Sequence, residues 1–203
     1  MHALAARPRF SFRFAVLMPL LCLVLSGCGV NNIPTYEELA KAKWSEVLNQ
    51  YQRRSDLIPN LVETVKGFAK QESSVLEAVV KARASATQVK VDSDTITDPE
   101  QFKKFQAAQS QLSGSLGRLL AISETYPELK SNQNYLALQS QLEGTENRIA
   151  VARRDYIEAV RVYNTEISTF PGRLWAATLY AGHKRMEEFT IDDSAKVAPA
   201  VKF

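Results

Sequence analysis

SNQNYLALQSQLEGTENRIAVARRDYIEAVRVYNTEISTF, residues 131–170, decides the fold class. Apolar or small residues fall at Tyr135, Leu138, Leu142, Thr145, Ile149, Ala152, Tyr156, Ala159, Tyr163, Ile167 and Phe170, with separations of 3-4-3-4-3-4-3-4-4-3. A strand repeats every two residues and cannot produce that stripe, whereas one face of a helix does. With Ser131 as N-cap, the spacing predicts a helix to Phe170, roughly 60 Å long at ~1.5 Å per residue. Phe170-Pro171-Gly172 stops it, and a short amphipathic helix, Leu174–Ala181, follows with Gly182 as its C-cap.

The same reading extends towards the N-terminus. Asp98 caps a second helix, with Pro99 at the first position and Gln101 completing a capping-box pattern. Its seam is Phe102, Phe105, Gln109, Leu112, Leu116 and Leu119, and Tyr126-Pro127 ends it. Gly114 and Gly117 lie within it, which predicts close approach of a neighbouring helix. Residues 88–98 form a polar loop. Before them, Thr35 as N-cap and Glu38 open a helix predicted over Tyr36–Thr87, with the seam Ile58, Leu61, Val65, Phe68, Val75, Val79, Ala82 and Ala86. Pro59 removes one backbone donor, predicting a kink near Ser55 or a break into two helices with Asp56 as the new cap.

Long amphipathic helices joined by short connections bury their stripes against one another. The expected fold is all-α: an antiparallel bundle of three long helices plus a short C-terminal helix, over residues 36–189. Residues 190–203 lack a helical stripe and read as a flexible tail.

The N-terminus reads as an address. Arg7, Arg9 and Arg13 are its only charged side chains, and Phe14–Leu25 is an uncharged, mostly apolar run of 12 residues. Crossing a bilayer takes about 20. Leu25-Ser26-Gly27-Cys28 then resembles a bacterial lipobox, so residues 1–27 are expected to be a lipoprotein signal peptide and Cys28 the lipidated first residue. Residues 28–35 would be the tether; a retained signal anchor is the alternative. Gly29 leans the choice towards an outer membrane if the cell has two, with the bundle on the extracytoplasmic side in either case.

Composition narrows the chemistry. The chain has 203 residues, 25 Lys plus Arg and 22 Asp plus Glu. The excess of three lies in the signal segment, so the rest is balanced and lacks the basic footprint of a nucleic-acid binder. His2 and Cys22 leave with the signal and Cys28 carries lipid, leaving His183 and no free thiol. No metal site, cofactor loop or nucleophile motif is present in the pattern, and no cofactor is expected. The consecutive carboxylates at 37/38, 187/188 and 192/193 do not face each other on a helix.

Two segments are more distinctive than periodicity requires. Arg53-Arg54-Ser55-Asp56-Leu57-Ile58-Pro59-Asn60-Leu61-Val62, continuing through Thr64-Val65-Lys66-Gly67-Phe68, resembles the signature of the bacterial LemA family. Tyr126-Pro127-Glu128-Leu129-Lys130, Glu146-Asn147-Arg148-Ile149-Ala150, Arg153-Arg154-Asp155-Tyr156, Tyr163-Asn164 and Phe170-Pro171 fit its second half in order. The resemblance implies a helical bundle displayed outside a membrane, in a family without an established enzymatic activity. The family's usual anchor is an N-terminal transmembrane helix, and here a lipobox stands in its place.

The candidate functional surface is the polar cluster Arg53, Arg54, Asp56, Asn60 and Glu63. Arg54 falls on the apolar register (51, 54, 58), where an unpaired charge is costly, so a structural role is expected there. Arg53, one position round the helix, is expected on an exposed or binding face. Glu146, Arg148, Arg153, Arg154 and Asp155 form a charged face on the third long helix, read as a solvated or intrabundle salt-bridge ladder. The expected function is that of a non-catalytic, membrane-anchored scaffold or adaptor of the bacterial cell envelope, meeting the membrane through its lipid and other envelope proteins through the bundle, with self-association left open. The alternative is an accessory factor or hydrolase of envelope or cell-wall metabolism.

Overall fold

A computed structural model describes residues 29–92 and 94–190. Residues 1–28, which hold the expected signal peptide and Cys28, and residues 191–203, most of the expected tail, lie outside the described residues. Those described form six α-helices and no strand: α1 (Asn32–Phe68), α2 (Ser73–Gln88), α3 (Pro99–Ala121), α4 (Pro127–Lys130), α5 (Gln133–Glu166) and α6 (Gly172–Thr178). The all-α bundle expected from the stripes is present.

The helix count differs from expectation. The single helix predicted over Tyr36–Thr87 is two, and the break lies at Ala69 (φ −133°, ψ 55°), not at Pro59. Reversing there lets Leu76, Val79, Ala82 and Ala86 pack back onto Ile58, Leu61 and Val65. An unbroken helix would have carried them ~25 Å past the bundle at ~1.5 Å per residue. The bundle therefore has four principal helices. α1 and α5 run antiparallel along their length, tied by Asn32–Glu166 at 3.2 Å, Lys43–Asp155 at 3.3 Å and Arg54–Glu146 at 3.0 Å. α2 and α3 form the second close pair, and Tyr126 donates to Glu72 at 3.0 Å where the end of α3 meets the start of α2.

Capping explains most boundaries. Asp98 accepts from the backbone N–H groups of Glu100 and Gln101, as expected. These bonds hold the Asp98 carboxyl below its ordinary range, the Gln101 N–H contributing most. α1 begins at Asn32, four residues earlier than expected. Thr35 is not its cap: its hydroxyl donates to Asn31 O at 2.7 Å within the first turn. Asn132, not Ser131, caps α5, its Oδ1 accepting from Tyr135 N at 3.0 Å. α5 ends at Glu166, so Phe170 leaves the stripe and is 80% exposed. α3 ends at Ala121, and α6 spans Gly172–Thr178 with Leu179, not Gly182, at its C-cap. A Cβ at Gly114 or Gly117 would meet nothing within 4 Å. Both face outward, contrary to the expected helix contact.

The core is divided. One cluster gathers Trp44, Tyr51, Phe102, Phe105, Tyr156 and Phe189 around the first half of α1. Their rings pack tilted or edge-on at centroid distances of 5.0–6.0 Å, with Phe102 and Tyr156 stacked at 6.4 Å, arrangements aromatic pairs favour. The other holds Ile58, Leu61, Val65, Leu112, Leu116 and Leu142 around its second half. α2 stops short of the first cluster. The residues after α6 run there instead as an irregular strap: Tyr163 Oη donates to Lys184 O, Tyr156 Oη to Glu187 O, and Asn164 exchanges two hydrogen bonds with Met186.

A buried arginine layer and the groove above it

Between the two apolar clusters lies one polar layer. Arg54 is 1% exposed, as its register predicted. Its Nη1 donates to Ser113 Oγ at 2.8 Å and to Glu146 Oε1 at 3.0 Å, and its Nη2 donates to the side-chain and backbone oxygens of Gln109. The guanidinium also lies 4.9 Å from the Tyr51 ring centre, a cation–π distance. Burial pushes the Tyr51 phenol up. Nε finds no acceptor among the described residues. A charge so enclosed is tolerated because it is paired and hydrogen-bonded, and it fixes α1, α3 and α5 in one register.

The next residue carries a second cross-helix bond. Pro59 has no N–H to give the carbonyl four residues before it, which is Ser55 O. Arg83 of α2 supplies the donor: its Nε lies 2.9 Å from Ser55 O. The helix runs through Pro59 because the freed group is satisfied from outside.

The remaining cluster residues are not brought to Arg54. Arg53, Asp56, Asn60 and Glu63 are exposed on the outer side of α1. Asp56 accepts from Gln52 at 2.7 Å and Glu63 pairs with Lys66 at 3.4 Å, both local contacts. The carboxylate of Asp56 does not reach the backbone freed by Pro59. Of the charged face on α5, Glu146 pairs with Arg54 and Asp155 with Lys43, so these ion pairs cross within the bundle to α1. Arg153 stacks 4.3 Å from the Phe189 ring centre.

Gln109 and Ser113 are the partners that sequence reading did not assign. Gln109 stood in the seam of its helix as a polar interruption, the one visible signal that a charge lay opposite. Above the layer, α3 and α5 stand apart and leave a groove of about 610 Å³. Gln106, Ser113, Ala150, Arg153 and Arg154 line it, with Tyr51 and Arg54 from α1 and Phe189 and Thr190 from the strap. Among the described residues its one carboxylate is Glu146, already bound to Arg54.

A second cleft, about 870 Å³, lies beside the strap. Glu37, Asp94, Asp98 and His183 line it. Glu37 lies 2.9 Å from Lys41 and 2.6 Å from His183 Nδ1, while Asp98 caps α3. Among the described residues no group of three or more His, Cys, Asp or Glu side chains has a metal-binding arrangement. Among them, too, no helix is long and apolar enough to cross a membrane.

Fold and layer together define a helical bundle organised around a buried arginine, with an open groove beside it. The model of the LemA family matches residues 43–203, and the chain belongs to that family. It is similar to two copies of magnetosome protein MamQ from Paramagnetospirillum magneticum, each 29% identical over 175 residues. It is also similar to magnetosome protein MamQ of Magnetospirillum gryphiswaldense, 28% identical over 175 residues. Each alignment covers 78% of this chain and 64% of the relative, so the chain spans less than two thirds of these proteins.

Proposed function

We propose that this protein is a lipid-anchored, extracytoplasmic helical bundle that serves as a non-catalytic scaffold or adaptor in the bacterial cell envelope. One observation carries the reading: among the described residues the α3–α5 groove is lined by arginine, amide, hydroxyl, aromatic and a few aliphatic side chains, and the one carboxylate among them is bound to Arg54. Such a lining recognises a partner by charge-assisted hydrogen bonds and stacking. General acid–base work needs two groups held in contrasting environments, and among the described residues Glu146 has no such companion in the groove. The partner is read as another envelope protein.

The alternative, a hydrolase or accessory factor of cell-wall metabolism, would use the second cleft, where Glu37 and His183 lie 2.6 Å apart. It is the weaker reading because Glu37 also holds Lys41 and Asp98 holds the start of α3. A photocrosslinking residue at Arg154, compared with one at the exposed Lys81 on α2, separates the two functions. The scaffold reading expects a discrete protein adduct from position 154 and none from 81. Equal labelling at both, together with turnover of cell-wall fragments lost in Glu37→Gln, would favour the enzyme.

A further inference from the structure

The end of the bundle where α1 begins is also where apolar side chains are most exposed. Phe170 is 80% exposed, Leu179 64% and Leu174 53%, all within or beside α6. α6 is folded tightly onto the end of α5: a Cβ at Gly172 would lie 2.2 Å from Glu166 O, so only glycine fits there. Trp175 and Tyr180 pack inward against the aromatic cluster, which holds α6 in place and leaves the leucines outside. Arg173 and Lys184 are exposed beside them.

The chain enters at this same end. Gly29 has φ +97°, a conformation L side chains rarely adopt, and a Cβ built on it would stand 3.9 Å from Pro171 Cγ. Cys28 is the residue before it in the sequence, and neighbouring Cα atoms are at most ~3.8 Å apart in any chain. A lipid on Cys28 therefore leaves little slack between the bilayer and α6.

We propose that α6 seats this end of the bundle on the lipid surface, with Phe170, Leu174 and Leu179 in the interfacial region and Arg173 and Lys184 towards anionic headgroups. The proposal rests on the reading of Cys28 as the lipid attachment site. Apolar side chains flanked by basic ones bind an anionic interface by burial plus electrostatic attraction. Seating would convert a tethered bundle into an oriented one.

The test uses the full-length lipidated protein in vesicles of phosphatidylethanolamine and phosphatidylglycerol with brominated acyl chains. Tryptophan is placed at Phe170→Trp or, as a control on α2, at Val80→Trp, each combined with Trp44→Phe and Trp175→Phe. Flotation with the vesicles reports the anchor, and bromine quenching reports the seating. Expected is flotation of both proteins, with fluorescence of the Phe170→Trp protein lowered at least about two-fold relative to the control, as for a side chain entering the headgroup–acyl boundary. Adding Leu174→Ser and Leu179→Ser should abolish the difference without affecting flotation. Flotation with equal, weak quenching at both positions overturns the seating alone. Failure to float overturns the anchor and the proposal that rests on it. Crosslinking of α6 to α6 between two copies, without quenching, would assign the surface to self-association and overturn the proposal.

Discussion

The Arg83 Nε donates to the Ser55 carbonyl oxygen at 2.9 Å, closing the gap that Pro59 opens in the ladder of α1. Ser55 is 4% exposed, so without Arg83 this carbonyl would be left short of a partner, at a cost of about 1–3 kcal/mol. Arg83→Ala should therefore lower stability by that amount in urea titration. Pro59→Ala restores an N–H at the right position, so Arg83→Ala should cost clearly less in that background. Equal costs in both backgrounds would show that the two residues are not coupled.

The arginine layer gives an asymmetric expectation. Glu146→Ala leaves the Arg54 charge enclosed at 1% exposure with only neutral acceptors. Its cost should be about 2 kcal/mol or more, short of the ~3–5 kcal/mol of a fully buried pair because Glu146 keeps a water-facing side. Arg54→Met removes the charge and keeps much of the volume, freeing Glu146 to water, and should cost less. The ranking is read from denaturation midpoints at constant slope, and a reversed order would mean that the layer is held by Gln109 and Ser113 without help from the ion pair.

Tyrosines make the strap sensitive to alkali. Burial raises the Tyr163 phenol to about 12 and pushes Tyr156 up as well. An unfolded tyrosine ionises near pH ~10. Between those values the unfolded chain gives up a proton that the folded chain retains, so stability is full below pH ~10 and falls as pH rises towards ~12. Thermal midpoints should drop over that window, and Tyr163→Phe should make the fall shallower. An unchanged slope in Tyr163→Phe would show that its phenol does not stay protonated in the fold.

Much of this was legible from residue spacing. The α5 stripe from Tyr135 to Tyr163 faces the core throughout, apart from the half-buried Leu138, and Asp98 caps α3 where its motif placed it. The inward position of Arg54 followed from its register. What spacing does not carry is pairing across the chain: Arg54 meets Glu146 at a separation of 92 residues and Gln109 at 55, distances only the assembled bundle brings together. The reversal at Ala69 was hidden because a three-and-four pattern continues on both sides of it. Phe170 kept the stripe's rhythm after the helix had ended. The strap has no period at all, since Phe189 and Met186 are buried through backbone and side-chain contacts that no repeat announces.

Both the scaffold reading and the seating of α6 depend on lipid at Cys28, and metabolic labelling with an alkyne fatty acid, followed by intact mass of the membrane-bound protein, tests it most directly. Expected is a labelled chain beginning at Cys28 in the wild type and, in Cys28→Ala, an unlabelled chain that still carries residues 1–27. Undiminished labelling of Cys28→Ala, or a wild-type chain that is unlabelled and uncleaved, would contradict it.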